Sequence, residues 1–149
     1  MEFVIPESLR LEHEELHEEL AKITKESGKI GDAARAVAEV LHPHFEREEE
    51  FALPPLGLLS SLAEGKISSE MVNVLPLTGR LKEDLLKMVE EHRAIGAKLK
   101  ILKDLARKGD KMEYVEFAKN LMLHAQNEEE VLYPASMLLG EYLKLKLNK

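Results

Sequence analysis

The chain contains no cysteine, which excludes disulfides, thiolate metal sites, iron-sulfur ligation and thiol nucleophiles. It also lacks any excess of positive charge: 28 acidic against 21 basic residues give a net charge of -7. Phosphates would be repelled, so neither nucleic acid nor an anionic membrane surface is an expected partner. The one basic cluster, "KLKLNK" at the C-terminus, is short and suits the negative end of a helix dipole. No window approaches the roughly eighteen uncharged apolar residues that a membrane span needs. The opening "MEFVIPESLR" has no basic region followed by an apolar run, so no secretory signal is expected and a cytoplasmic location is the default. Aromatic residues make up only 5 % of the chain, with 8 glycines and 6 prolines. Such scarcity, beside abundant Leu, Glu, Lys and Ala, favours helix.

What the chain does have is apolar periodicity. Its 149 residues are 44 % hydrophobic, enough to bury the core of a single domain spanning residues 1–149. Leu9, His13, Leu16, Leu20 and Ile23 follow the alternating four- and three-residue spacing of one helix face. "SGKIGD" ends that helix, and Asp32 is placed to cap the next. A second stripe runs Ala34, Val37, Leu41, His44, Glu48, Phe51 and stops at Pro54 and Pro55. Pro43 lies inside it and should kink the helix just before His44. The third stripe is Leu81, Leu85, Met88, His92, Ile95, Leu99, Leu102, Ala106. Asp110, with Glu113 three residues on, resembles a capping box for a fourth helix. There Tyr114, Phe117, Leu121, His124, Glu128, Val131, Ala135 and Leu138 share a face, and Pro134 marks a bend.

Short turns within each pair and a longer, apolar connection between the pairs predict an all-α, up-down four-helix bundle. Hairpin one covers about residues 6–55, a helical or looped crossover about 56–78, and hairpin two about 79–145. The halves repeat one another: "HFEREEEFALPP" begins at His44 and "HAQNEEEVLYPA" at His124, and Glu48, Glu128, Pro54 and Pro134 keep the same offset of 80. His13 and His92 are 79 apart. Neither hairpin could bury its stripe alone, so the two are read as pseudo-twofold partners.

Six polar residues occupy stripe positions where Leu or Phe would otherwise sit: His13, His44, Glu48, His92, His124 and Glu128. A buried ionised carboxylate costs several kcal/mol unless it is paired or bound to a metal. Any one of these histidines could be satisfied by a carbonyl or a water, and a single His-Glu pair four residues apart could be a structural ion pair. Four histidines and two carboxylates at matching core positions point instead to a metal site. Residues four apart lie on one helix face about one turn apart, so both can address one cluster. The set suffices for two metals, each with two imidazoles, with both carboxylates free to bridge. Nitrogen with carboxylate oxygen suits iron, manganese or zinc and does not suit a magnesium or calcium cage. Open positions in a paired site favour iron.

The pattern "EHEEL", "HFEREEEFALP", "EHRAI", "HAQNEEEVLYP" resembles the hemerythrin-like HHE cation-binding family over about Leu9 to Leu139. The resemblance implies a non-haem di-iron centre that binds dioxygen, nitric oxide or a related small ligand. By position, His13, His44, His92 and His124 would be terminal ligands and Glu48 and Glu128 bridging carboxylates, with an oxo or hydroxo bridge completing the pair. Oxygen-carrying members have a fifth histidine from a pair four apart on one helix. His17 stands four after His13, and its counterpart in the second hairpin is Gly96. Cluster-repair members carry a cysteine-bearing domain that is absent from this sequence.

The leading expectation is a protein whose work is ligation: transport, sensing or storage of a small diatomic. The alternative is a di-iron enzyme of peroxidase, ferroxidase or nitric-oxide-handling type, or an iron donor in cluster repair, served by an electron donor that the sequence does not identify. A metal-free interaction bundle is a third reading. Tyr114 and Tyr133 are read as packing residues, His42 as facing away from His44, and Glu49, Glu50, Glu129 and Glu130 as a solvated face from which a partner for a liganding imidazole could come.

Overall fold

The computed structural model describes residues 2–149, and every regular element among them is helical. Helix α1 (Glu7–Thr24) is followed by α2 (Gly28–Arg47), which runs on into a π-helical turn, Glu48–Ala52. The connection holds a 3-10 turn (Pro54–Leu58), the short helix α3 (Leu59–Ala63) and a second 3-10 turn (Ser69–Val74). Helix α4 (Leu75–Lys108) starts with Pro76 in its first turn, where a missing N–H costs nothing. The last rod is α5 (Met112–Asn127), a second π-helical turn (Glu128–Leu132) and α6 (Tyr133–Leu147). Around the molecule α1 packs on α2, α2 on α4, α4 on α5, and α5 returns to α1. This is the all-α, up-down four-helix bundle expected from the periodicity.

The caps differ from those expected. Gly28 takes a positive φ of 76° and opens α2 four residues before Asp32. Asp32 therefore sits inside the helix, paired with Arg35, and caps nothing. Gly31 is required by a close approach, because a Cβ there would lie 1.8 Å from the carbonyl oxygen of Glu26. The capping box at Asp110 does not form either. Asp110 adopts a left-handed φ of 56° and closes α4, with the N–H of Lys111 donating to the carbonyl of Ala106 at 2.8 Å. Lys111 then precedes α5 without a side-chain cap.

The two π turns account for the repeated prolines. The N–H of Leu53 donates to the carbonyl of Glu48 at 2.9 Å, and that of Tyr133 to the carbonyl of Glu128, each spanning five residues rather than four. Pro54 and Pro134 follow immediately. A proline ring crowds the carbonyl four positions back and offers no N–H, and a widened turn absorbs both effects. The extra residue also shifts the phase of everything after it. Val131 and Leu138, expected on the inner face, are 53 % and 70 % exposed, while Tyr133, Ser136, Leu139, Gly140 and Leu143 point inward. Helix α2 continues through Pro43, which lies on its exposed face.

The apolar interior is divided. One cluster gathers Leu16, Leu20, Val37, Leu41, Leu99 and Phe117 with their neighbours. A second is built on Phe51, Leu81, Met88 and Tyr133, and a third packs the connection against α6. Between the first and second lies a polar layer.

Candidate metal centre

That layer holds the six stripe residues. Helix α1 supplies His13, α2 His44, α4 His92 and α5 His124, and each π turn begins with a carboxylate, Glu48 or Glu128. All six are buried. They form two groups that share both carboxylates: His13, His124, Glu48 and Glu128, and His44, His92, Glu48 and Glu128. Within each group one ligand atom per residue lies within 4.8 Å of every other.

The carboxylates divide their oxygens between the groups. Glu48 turns Oε1 to His13 Nε2 at 3.5 Å and Oε2 to His44 Nε2 at 3.4 Å. Glu128 turns Oε2 to His13 Nε2 at 3.5 Å and His124 Nε2 at 3.0 Å, and Oε1 to His92 Nε2 at 3.0 Å. Every imidazole thus presents Nε2 to the middle of the layer. In the first group His13 Nε2, His124 Nε2, Glu48 Oε1 and Glu128 Oε2 are all buried without a hydrogen-bond partner. Four such atoms aimed at one another would be costly in a finished core. A cation held by these four side chains would satisfy them, so the donor set fits metal binding.

Burial and mutual repulsion set the charge state of the chain's own groups. Burial pushes the Glu48 carboxyl up, but hydrogen bonding with Glu128 and His44 outweighs it and holds Glu48 at about 2. Burial first, and then the charge on Glu48, drive Glu128 well above the usual carboxylate range. The two carboxylates are thus pushed in opposite directions, as happens when two share one buried site. Burial lowers His13 to about 4, against the attraction of Glu48. Neutral imidazole is the form that ligates.

Three of the four outer nitrogens hydrogen-bond a carboxylate, and two of those carboxylates lie outside the set expected from the sequence. His44 Nδ1 lies 2.9 Å from Glu91 Oε1, and His92 Nδ1 lies 2.7 Å from Glu129 Oε2. His124 Nδ1 pairs with Glu12, whereas His13 Nδ1 approaches Glu49 Oε1 only to 3.5 Å and makes no hydrogen bond. A carboxylate behind an imidazole fixes its orientation and makes it a better donor. The acidic run offers Glu129 for this role, and Glu49 comes near without bonding, whereas Glu12 and Glu91 stand outside that expectation. Their signal was legible, since each directly precedes a core histidine in both halves: Glu12-His13 and Glu91-His92. Arg47 grips Glu91 from outside, with Nε 3.2 Å from Oε1, whereas the matching position in the second half is Asn127.

His17 joins neither group. Its ring lies 4.4 Å from that of His42 and 5.6 Å from that of Phe45, half-buried where α1 meets α2. Gly96 lines a surface cavity of about 280 Å³ together with His92, Met122 and Glu129, and nothing lies within 4 Å of where its Cβ would be. Tyr114 packs at the far end of the bundle, donating to Glu26 at 2.6 Å. Tyr133 is more than a packing residue. Its hydroxyl donates to Glu48 Oε2 at 2.5 Å, inside the polar layer. The phase shift of the π turn is what brings it there.

No helix of the structure is long and apolar enough to cross a membrane. Comparison with curated proteins and with solved structures found no match. The sequence does match the hemerythrin HHE cation-binding domain over residues 4–136. That stretch includes all six residues of the polar layer and both π turns, and the chain belongs to the hemerythrin HHE cation-binding domain family.

Proposed function

We propose that this protein holds two non-haem iron ions and binds dioxygen, nitric oxide or a related small ligand. His13 and His124 would serve one iron, His44 and His92 the other, and Glu48 and Glu128 would bridge them. The observation that carries this reading is the division of the carboxylates, each with one oxygen turned to each histidine pair. A structural ion pair would need only one oxygen and one imidazole.

Iron is favoured among the cations that accept nitrogen and carboxylate oxygen, with zinc or manganese as substitutes. Bound iron would supply redox-active coordination positions for the small ligand. The chain's own residues supply orientation and dryness. The outer carboxylates hold the imidazoles in register, and Phe45 stacks on His13 at 3.9 Å between ring centroids, covering that side from solvent. Four neutral imidazoles and two carboxylates bring less negative charge than the four carboxylates and two histidines of ferritin-like oxidases. The ferrous state is then relatively accessible, which supports reversible binding over turnover.

Two measurements test this. Metal analysis after anaerobic ferrous loading should give two irons per chain, and His92→Ala should give fewer. Absorption spectra through repeated addition and removal of oxygen should return to the same ferrous baseline. Irreversible oxidation on the first cycle would remove the binding reading and leave the enzymatic one.

A further inference from the structure

Tyr133 breaks the likeness between the two halves of the centre. The equivalent position eighty residues earlier is Leu53, which is buried but offers no donor. Tyr133 is itself fully buried, and its ring stacks on that of His92 with 5.7 Å between centroids and 11° between planes. Its oxygen lies 2.5 Å from Glu48 Oε2, 3.3 Å from His92 Nε2 and 3.4 Å from His44 Nε2. Those are three of the four side chains of one metal-sized group.

The distances have a simple meaning. Ligand atoms held at about 2.1 Å from one octahedral cation stand about 3 Å apart along each edge. The phenol oxygen is at edge distance from both imidazole nitrogens of this group. The π turn makes that placement possible, because it adds the residue that swings position 133, rather than 131 or 132, onto the inner face. The first group has no such donor: His13 Nε2, His124 Nε2 and the two carboxylate oxygens facing them stay unpartnered.

We propose that the Tyr133 oxygen is a seventh protein ligand, given to the cation of His44 and His92 and not to that of His13 and His124. This rests on the two-metal reading above and makes the two cations chemically unlike. Coordination exchanges the phenol proton for the cation, and the proton leaves to solvent. A cation beside the phenol supplies the opposite of the negative field that the carboxylates impose.

The test is resonance Raman and absorption spectroscopy on the full chain, loaded with ferrous iron, assayed for metal and then oxidised. Wild type should show a visible phenolate-to-iron band with the ring modes of a coordinated phenolate, and ring-deuterated tyrosine should shift them. Tyr133→Phe should lose the band while keeping two irons. Tyr114→Phe and Tyr142→Phe should retain it, which assigns the ligand by elimination even where Tyr133→Phe does not fold. Two irons without phenolate modes, or modes that survive Tyr133→Phe, would overturn this inference alone. A chain that takes up no iron would overturn the metal reading along with it.

Discussion

Replacing Glu128 by leucine should stabilise the chelated protein and cripple the loaded one. Glu128 is 1 % exposed and Glu48 is not exposed at all, yet among the described residues their ion-pair partners are histidines alone. Arg47, which directly precedes Glu48, is spent on Glu91. Without a cation the two buried carboxylates face one another, and burial together with the charge on Glu48 drives Glu128 well above the usual carboxylate range, a cost borne by the fold. Replacing buried ionic groups by apolar ones of similar volume is often neutral or stabilising by about 1–4 kcal/mol, and here the leucine also removes the repulsion between Glu128 and Glu48. Glu128→Leu belongs in that range when metal is removed. Loading reverses the order: a cation at a thousand times its dissociation constant adds about 4 kcal/mol to the wild type at each site. The variant lacks one bridging oxygen for both cations and gains far less. Urea unfolding followed by far-ultraviolet circular dichroism, with chelator and after anaerobic ferrous loading, reads both signs. Glu128→Gln, which keeps the shape and cannot ionise, should behave like the leucine variant. If both variants are less stable than wild type even with chelator, Glu128 is a structural partner of the histidines and the metal argument fails.

Three further outcomes can be checked with ordinary methods. Gly31→Ala should destabilise the fold by about 3 kcal/mol or more, since the new Cβ meets backbone rather than a movable side chain; an unchanged urea midpoint would show that the turn between α1 and α2 relaxes freely. Glu91→Gln should weaken metal binding about 10–100-fold by releasing His44 Nδ1, measured by competition with a chromophoric chelator, and equal affinities would deny the outer carboxylate any role in ligation. The third concerns pH. His13 falls from 6.5 in the unfolded chain to about 4 in the fold, so its neutral form supports the fold fully above pH 6.5. That support is withdrawn as the pH drops toward 4 and amounts to about 3 kcal/mol. Urea midpoints of the chelated protein should therefore decline more steeply across this window for wild type than for His13→Leu, and parallel profiles would refute the assignment.

The periodicity of 3.6 residues made the rods and the six inward polar positions readable, because a buried charge on a helical stripe is conspicuous. The same rule misled beyond Glu128. A π turn adds a residue without announcing itself in composition, so the stripe points to Val131 and Leu138 on the inner face and gives Tyr133 only a packing role, against their 53 %, 70 % and 0 % exposure. The proline one step later was the visible clue. Caps at Asp32 and Asp110 were misread for another reason: the chain turns at Gly28 and at a left-handed Asp110, and backbone conformation there outranks the capping preference of a side chain. Glu12 and Glu91 were hidden by abundance, lying in acidic runs where any one carboxylate looks solvated.

The way the centre is apportioned bears on how such a molecule could arise. His13 and His44 come from one hairpin, His92 and His124 from the other, and each metal-sized group takes one histidine from each. Glu12 reaches across to His124, and Glu91 reaches back to His44. A lone hairpin therefore owns half of each group and the whole of neither. Two copies of one ancestral hairpin, joined by a twofold axis, would already have carried the entire donor set. Fusion through the connection would free the halves to diverge, and the difference between Leu53 and Tyr133 is one that a strict homodimer could not carry on one side only.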